Sequence, residues 1–290
     1  MIVDKDITKF ATIHTESKTK YFVDINSVNE LKDAVIFADK NKLDPIIIGK
    51  GTNILFTQKV YTDKLFMKLG KNYEYFTLID NIVEIGASYP FMKAGKKLIS
   101  LGYKDFIYMS LIPGSLGGGV RQNAGTTNEG EIKDNFISAI VFDLKEGQVK
   151  ELNKADMSFS YRNSILQENK DRYVVLSAKF SLGEKEQNIG QLKDLAQELK
   201  KKKLDKGPSG YSFGSTFKSV KYEHPVWWYI DKVGMRGKTI GQAKFSEKHS
   251  NWIINEGTAK AEDIIALIEE AKQRILEKFN INLQVEVELI

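Results

Sequence analysis

The sequence contains no cysteine, and this absence excludes several classes of protein at once. A chain without thiols has no disulfide framework, no cysteine nucleophile, no iron–sulfur cluster and no thiolate zinc site. Histidine is also scarce, since His14, His224 and His249 are the whole set. A protein-bound transition metal would therefore depend mostly on carboxylate ligands, and we expect no metal.

Long apolar runs are lacking as well. The first ten residues carry charge at Asp4, Lys5, Asp6 and Lys9, where a signal peptide has an uninterrupted apolar stretch. The apolar runs elsewhere are far shorter than the roughly 18 residues that span a bilayer. We therefore expect a cytoplasmic protein without membrane insertion.

A strong excess of one charge is also missing, because 43 Lys and Arg against 38 Asp and Glu leave +5 over 290 residues. This small excess predicts mild attraction for anionic small molecules and no nucleic-acid surface. Hydrophobic residues make up 42% of the chain, which supplies a packed core and excludes a disordered protein. The length corresponds to about two domains at roughly 150 residues each.

The predicted elements are typical of an α+β fold. Ser27 and Glu30 have the spacing of a capping box at the start of a helix. Residues 137–144 and 172–180 read as strands around a glycine turn, and Pro90 is placed for the first position of a helix. The spacing of these elements does not repeat as regular βαβ units.

The C-terminal third is predicted to be a separate domain. The helical segment 188–203 is followed by Gly207-Pro208-Ser209-Gly210, a sequence that breaks regular structure. An amphipathic helix over residues 261–279 is expected to bury a face that includes Leu276. In the closing stretch 281–289, apolar and polar residues alternate as in a half-buried strand.

Two glycine-rich loops, GKGTN from Gly49 and IPGSLGGGVRQNAG up to Gly125, are candidates for binding phosphate. Glycine permits positive φ and lets backbone N–H groups converge on an anion. Neither loop completes a Walker A or a dinucleotide fingerprint, because Ile54 stands where the third glycine of the latter belongs. Both loops are also compatible with tight turns that pack backbone on backbone.

Three polar places are further candidates for chemistry: the YRNS segment with Arg162, the GSTFK segment with Ser215, and Glu286 near the C terminus. Each has a simpler interpretation, as a surface ion pair, a turn serine and a solvated strand residue respectively. A nucleophile-elbow hydrolase is not supported, because no serine lies in a GxSxG pattern. His249 is interpreted as a packing residue.

Taken in order, these segments resemble the UDP-N-acetylenolpyruvoylglucosamine reductase (MurB) family, and the resemblance covers nearly the whole chain. Its most specific parts are residues 101–134, YRNS, GSTFKS, residues 233–264 and the final VEVELI. The resemblance implies a two-part FAD-binding region of the vanillyl-alcohol-oxidase-like type and a C-terminal α+β substrate domain. The implied segments are 1–70 and 71–185 for the two FAD-binding parts, 186–206 for a helical linker and 207–290 for the substrate domain, with 281–290 near the active site.

The resemblance also implies noncovalent FAD, held by the two glycine loops, with NADPH as co-substrate. The implied flavin contacts are Gly49, Gly51, Thr52, Asn53, Gly114, Ser115, Gly118, Asn123 and Gly125. The implied reaction, part of peptidoglycan precursor synthesis, reduces the enolpyruvyl ether of UDP-N-acetylglucosamine to UDP-N-acetylmuramate. NADPH reduces the flavin and leaves, and the flavin then delivers hydride to the methylene carbon of the UDP-sugar.

By the same resemblance, the negative charge that develops on the substrate needs a cation and an acid, for which Arg162 and Glu286 match the family's arginine and glutamate. Ser215 matches the serine that protonates the second carbon. The implied substrate contacts are Tyr161, Lys218 and Arg236, the last two with the diphosphate. A monomer or weak oligomer is expected.

The sequence departs from the family pattern at Ser17-Lys18, Ser219 and Gln242. These departures spare the three proposed catalytic positions but bear on cofactor affinity. Two alternatives therefore remain: a flavin-dependent oxidase or dehydrogenase of another substrate on the same scaffold, and a nonenzymatic nucleotide-binding relative.

Overall fold

A computed structural model describes residues 2–219 and 222–290, with side chains from Asp4 onward. The chain forms two compact units. Unit 1 contains Tyr21–Lys50 and Asp63–Lys201 with the described residues of Met1–Val3, and unit 2 contains Asp4–Lys20, Gly51–Thr62 and the described residues of Lys202–Ile290. Both units mix helices and strands, so the fold class is α+β, as predicted.

The helices and strands alternate irregularly along the chain. The strands are β1 (Ile2–Asp6), β2 (Lys18–Ile25), β3 (Asp44–Ile47), β4 (Ile54–Leu55), β5 (Val60–Leu69), β6 (Phe76–Ile79), β7 (Ile82–Gly86), β8 (Gly125–Thr126), β9 (Gly130–Glu131), β10 (Phe136–Asp143), β11 (Gln148–Asn153), β12 (Tyr173–Ser181), β13 (Thr239–Ile240), β14 (Ala243–Phe245), β15 (Ile253–Asn255) and β16 (Glu288–Leu289). The helices are α1 (Val28–Asn41), α2 (Phe91–Ser100), α3 (Ile107–Leu111), α4 (Leu116–Arg121), α5 (Ile132–Asn135), α6 (Ile165–Glu168), α7 (Ile189–Lys206), α8 (Val226–Lys232) and α9 (Ala261–Phe279). Short 3-10 turns cover Thr8–Phe10, Lys71–Tyr73 and Lys104–Phe106.

The centre of unit 1 is an antiparallel sheet with the strand order β11-β10-β12-β7-β6. The central strand β12 is almost continuously buried, and its Ala178 lies opposite Ala139 of β10 and Ile85 of β7. Helix α2 packs into the same core through Phe91, Ala94 and Leu98. Burying a side chain of this size stabilises the fold by about 1.5–3 kcal/mol.

Helix α1 begins where the sequence predicts. The hydroxyl of Ser27 accepts a hydrogen bond from the backbone N–H of Glu30, and the Glu30 carboxylate accepts one from the backbone N–H of Asn26. These two bonds satisfy donors that an uncapped helix start leaves without partners. The helix ends at Lys42, whose φ of 54° reverses the chain before β3.

Pro90 differs slightly from its predicted position. It is the N-cap residue of α2, with ψ at 122°, and the helix begins at Phe91. The extended ψ follows from an isolated β-bridge between Pro90 and Ser115. The start of α2 is therefore attached to the second glycine-rich loop.

In unit 2, the sheet β13-β14-β15 is antiparallel, and α9 buries Ile264, Leu267, Ile268, Ala271 and Ile275. The predicted bounds of α9 are confirmed, but Leu276 is 48% exposed, so its predicted burial is wrong. The apolar face of this helix is narrower than the sequence pattern indicates. Of the described residues, none forms a helix long and apolar enough to cross a bilayer.

The closing stretch is not the single strand that the sequence predicts. Val285 forms a bridge with Phe217, the chain bends at Val287, and Glu288–Leu289 then runs parallel to β4 as β16. Because the segment changes its partner between residues 285 and 288, the two-residue alternation of burial does not persist, and Leu289 is exposed.

Candidate active site

The second glycine-rich loop lies in unit 1 and leads into the short helix α4. Ser115 is the buried N-cap residue of this helix, and Gly114 before it has φ 146°. The loop is tied to the start of α2, because the backbone N–H of Phe91 donates to Gly114 (3.0 Å) and that of Leu116 donates to Tyr89 (3.0 Å). A rigid neighbouring element therefore fixes the position of the loop.

Gly49 of the first loop closely approaches Ser115 of the second. A Cβ at position 49 would lie 2.3 Å from the Ser115 hydroxyl oxygen, whereas one at Gly118 would lie 3.5 Å from the same oxygen. Position 49 therefore accommodates only glycine without a shift, and position 118 has room for a side chain within the protein. The Ser115 hydroxyl thus fills the space beside Gly49, whereas the space beside Gly118 can admit a further group.

Gly51 lies in unit 2, and its own packing explains why it is glycine. Its φ is 61°, and a Cβ there would lie 1.7 Å from the carbonyl oxygen of Phe10. The Gly51 carbonyl accepts a hydrogen bond from the backbone N–H of Thr12 at 2.9 Å. At this position the tight-turn interpretation has a clear structural basis. Thr52 and Asn53 follow in a half-buried turn that leads into β4.

Arg162 is placed by a tight turn between Ser160 and Asn163, whose backbones pair with each other. Its φ of 51° is left-handed, and its side chain is only 17% exposed. The guanidinium donates to the carbonyls of Asn123 and Gly125 and packs against the Tyr161 ring at 4.9 Å. Arg162 is therefore a largely buried cation bound to backbone carbonyls, unlike an exposed surface ion pair.

Asn123 joins the second glycine loop to the turn that bears Arg162. Its side-chain amide donates to the carbonyl of Ser160 at 2.9 Å, and its side-chain oxygen accepts from the backbone N–H of Lys133 at 2.9 Å. It is fully buried, with φ 46°. Its side chain thus holds the loops together, and a flavin contact at Asn123 stays a prediction.

Glu131 is a residue at this place that the sequence reasoning missed. One of its carboxylate oxygens lies 4.0 Å from the Arg162 guanidinium, and Lys133 forms an ion pair with the other. Strand β9 brings Glu131 opposite Gly125, where a Cβ at position 125 would lie 2.3 Å from the Glu131 Cβ. The capping-box spacing of Glu131 and Asp134 is the sequence feature that indicates an ordered role for Glu131.

In unit 2, the segment that contains Ser215 and Lys218 lies between two other backbone segments. Ser215 pairs with Trp252 on one side, and the Lys218 N–H donates to the Gln284 carbonyl (2.8 Å) on the other. The Glu286 N–H donates to the Thr216 carbonyl at 2.8 Å. The structure thus brings Ser215, Lys218 and Glu286 into one small backbone arrangement.

Thr216, between these residues, carries a buried hydroxyl that has no hydrogen-bond partner among the described residues. Asn251 fixes the next residue, because its side chain accepts from the Phe217 N–H and donates to the Phe217 carbonyl. Both residues lie in segments that carry the family resemblance, but neither was singled out as a site residue.

Arg236 is paired within unit 2. Its guanidinium binds the Asp231 carboxylate through two nitrogens and also donates to the Glu247 carbonyl. The hydrogen bonds that Arg236 donates to the Asp231 carboxylate raise the pKa of Arg236. Burial, followed by the nearby Arg236 cation, lowers the pKa of His249, in agreement with its interpretation as a packing residue. Arg236 is consequently held by a carboxylate, an arrangement that does not favour a diphosphate contact.

Comparisons with known proteins agree with the predicted family. A family model described as UDP-N-acetylenolpyruvoylglucosamine reductase, C-terminal domain, matches residues 205–290, and one described as FAD binding domain matches residues 19–153. The reductase of that name from Petrotoga mobilis is 36% identical over 275 residues, which cover 93% of this chain and 88% of that protein. Its counterpart from Caldicellulosiruptor bescii is 34% identical over 288 residues, which cover 99% and 90%.

A solved structure extends the likeness to the fold. UDP-N-acetylenolpyruvylglucosamine reductase (MurB) from Thermus caldophilus matches with a TM-score of 0.82 at 22% identity, covering 100% of this chain and 98% of that one. At this identity the likeness concerns the fold alone, whereas the reductases from Petrotoga mobilis and Caldicellulosiruptor bescii exceed 30% identity over nearly the whole chain. The chain therefore belongs to the UDP-N-acetylenolpyruvoylglucosamine reductase (MurB) family.

Proposed function

We propose that this protein is an FAD-dependent, NADPH-driven reductase. It converts the enolpyruvyl ether of UDP-N-acetylglucosamine to UDP-N-acetylmuramate in peptidoglycan precursor synthesis. One observation carries the proposal furthest: the family-matched C-terminal region holds Ser215 and Glu286 on adjacent backbone segments, joined by the bond from the Glu286 N–H to the Thr216 carbonyl. An oxidase of an unrelated alcohol has no need for this pair.

The chain is suited to holding FAD without a covalent link. The residues that would hold the cofactor are those of the two glycine loops: Gly49, Gly51, Thr52, Asn53, Gly114, Ser115, Gly118, Asn123 and Gly125. The space at Gly118 supports this assignment. Bound FAD would supply hydride transfer from NADPH to the methylene carbon of the enol ether.

Arg162 is proposed to bind the substrate carboxylate. Adding hydride to the methylene carbon places negative charge on the neighbouring carbon and its carboxylate, and a fixed cation stabilises this charge best in a site with little water. Arg162 meets the requirement, because backbone carbonyls and Tyr161 fix its largely buried guanidinium. Arginine can also bind a carboxylate through two parallel hydrogen bonds.

Ser215 is proposed to donate the proton that completes the reduction at the second carbon. One hydride and one proton then saturate the double bond, and NADPH becomes NADP⁺. A free serine hydroxyl is a very weak acid, so its role requires a strongly basic acceptor and a fixed orientation. Backbone pairing on both sides of the 215–218 segment supplies rigidity, and Glu286 is proposed to act on the same developing charge.

We propose Tyr161 as a substrate contact and Lys218 as a contact with the diphosphate of the substrate. The pairing of Arg236 with Asp231 favours a supporting role for Arg236 over a direct one. The protein is proposed to act in the cytoplasm, as a monomer or weak oligomer. The segments 1–70, 71–185, 186–206 and 207–290 stay our proposal for the functional division of the chain.

Visible spectroscopy of the purified protein tests this function. We expect a flavin spectrum, release of the flavin on denaturation, bleaching by NADPH without oxygen, and return of colour when the enolpyruvyl ether is added. Absence of flavin after FAD addition would favour a nonenzymatic relative. Return of colour only with oxygen would favour an oxidase.

A further inference from the structure

Asn53 binds the C-terminal segment through both its backbone and its side chain. Its carbonyl accepts a hydrogen bond from the Glu288 N–H at 3.0 Å, and its side-chain amide donates to the Glu286 carbonyl at 3.1 Å. All three residues belong to unit 2. The last residue of the first glycine loop is thus joined to the backbone on both sides of Val287.

The register of the neighbouring strands explains why the side chain is used. Glu288 lies opposite Ile54 in the parallel pair of β4 and β16. A regular parallel ladder with this register would continue with a bond from the backbone N–H of residue 53 to the carbonyl of residue 286. The Asn53 side-chain amide occupies the place of that N–H. The ladder therefore extends to Glu286 by a bond that depends on the identity of residue 53.

Other bonds hold the backbone around Glu286. Its N–H donates to the Thr216 carbonyl at 2.8 Å. Further along, the Ile290 N–H donates to the Leu55 carbonyl, and the Ile290 carbonyl accepts from the Thr57 N–H at 3.0 Å. The carbonyl of Glu286 receives its bond from Asn53. Both peptide groups of Glu286 are thus fixed, one by the segment of Ser215 and the other by the glycine loop.

We propose that Asn53 is a positioning residue for Glu286, through which the first glycine loop fixes the orientation of this carboxylate. The inference rests on the proposed function, in which Glu286 acts on the charge that develops on the substrate. It also changes the role expected of Asn53. The hydrogen bond of its side chain to the Glu286 carbonyl adds a second role to the flavin contact that the resemblance implies.

The first test measures the position of the segment without any reaction. Hydrogen exchange of the holoenzyme is followed in a peptide covering residues 284–290, in the unaltered protein, in Asn53→Asp and in Asn53→Ala. Loss of one hydrogen bond corresponds to about a 2- to 10-fold change, so we expect exchange in this peptide to rise by that factor, with helix α9 unchanged. Asn282→Asp is the matched control, because it makes the same change at an exposed position in the same segment.

The second test follows the two half-reactions and FAD affinity. At saturating FAD, we expect Asn53→Asp to slow oxidation of the reduced holoenzyme by the enolpyruvyl ether by about 2- to 10-fold, with a smaller effect on reduction by NADPH. If Asn53 acts through Glu286, adding Asn53→Asp to Glu286→Gln should cause no further slowing. The control Asn282→Asp should match the unaltered protein in both half-reactions.

Three results would overturn the inference: unchanged exchange over residues 284–290, additive effects in the double variant, or an effect of Asn53→Asp confined to FAD affinity. Failure of the proposed function gives a different pattern. The unaltered holoenzyme would then not be oxidised by the ether at all, whereas hydrogen exchange would still decide whether Asn53 fixes the Glu286 backbone.

Discussion

The guanidinium of Arg162 donates a hydrogen bond to the backbone carbonyl of Gly125. This bond joins the YRNS turn to the end of the second glycine loop, two motifs that lie 37 positions apart in the sequence. Because residue 125 is glycine, Glu131 can approach closely and place its carboxylate 4.0 Å from the same guanidinium. The cation is thus held in a fixed position.

We predict that Arg162→Lys lowers turnover by roughly 10²-fold, the effect typical of losing one fixed charge-stabilising donor. Lysine conserves the charge but cannot bind two carbonyls and a carboxylate with one planar fork. Steady-state kinetics with the enolpyruvyl ether measures the effect. Arg274→Lys is the control, since Arg274 also donates to a carbonyl and pairs with a carboxylate. Equal activity of both variants would remove Arg162 from the mechanism.

Gly118→Ala is predicted to weaken FAD binding by about 10-fold or more without unfolding the protein. The new Cβ would lie 3.5 Å from the Ser115 hydroxyl oxygen, so the protein itself has room for it. A cofactor against the loop backbone does not have that room. Titration of the apoprotein with FAD measures the affinity, and Gly190→Ala in α7 is the control. An unchanged FAD affinity would show that the flavin does not approach Gly118.

Ser215→Ala should separate the two half-reactions. A proton donor to the substrate takes no part in the reaction with NADPH, so reduction of the holoenzyme should keep its normal rate. Oxidation by the enolpyruvyl ether should slow by about 10²- to 10⁴-fold, the usual range for general acid catalysis. Rapid mixing measures both rates, with Ser209→Ala in an exposed loop as the control. Equal slowing of both half-reactions would identify Ser215 as a structural turn residue.

The buried Asp143 predicts how the stability of the fold depends on pH, and this prediction does not involve the reaction. Its side chain is fully buried between Lys150 and Arg172. Burial by itself raises the pKa of this carboxyl, but hydrogen bonds from Arg172, Lys150 and the backbone N–H groups of Glu146 and Lys145 outweigh it. The pKa is therefore well below its ordinary value of 3.8. A carboxyl with a lowered pKa stabilises the fold above its ordinary pKa, and this stability is lost as the pH falls further.

Asp143→Asn is accordingly expected to cost about 1.5–3 kcal/mol at neutral pH, the range for hydrogen bonds to a charged group. The difference in free energy of unfolding between the variant and the unaltered protein should shrink as the pH falls below about 4. Urea unfolding at several pH values measures the free energy, and the exposed Asp33→Asn serves as the control. A difference that stays constant with pH would contradict the ionic role of Asp143.

Local signals made much of the fold predictable. The capping box at Ser27 and the amphipathic pattern of α9 depend on neighbouring residues, so the sequence alone reveals them. The closing stretch was predicted less well, because its conformation depends on two distant partners, Phe217 and β4. Alternation in a sequence indicates a strand but not a change of partner within it.

The same distinction applies to the candidate site. The motifs identified Arg162 and the glycine loops, since glycine and arginine there are chemically distinctive. The roles of Glu131 and the Asn53 side chain were not predictable, because they arise from strand registers that place residues 125 and 131, and 54 and 288, opposite each other. Short-range patterns contain no information on such pairings.

The central claim is that reduced holoenzyme transfers hydride to the methylene carbon of the enolpyruvyl ether of UDP-N-acetylglucosamine. The most direct measurement is NMR of the product after anaerobic reaction with NADPH in deuterated water, because hydrogen carried on a flavin nitrogen exchanges with solvent. We expect UDP-N-acetylmuramate with deuterium in the methyl group of its lactyl ether and on the adjacent carbon. Unchanged ether beside a reduced protein that only oxygen reoxidises would contradict it.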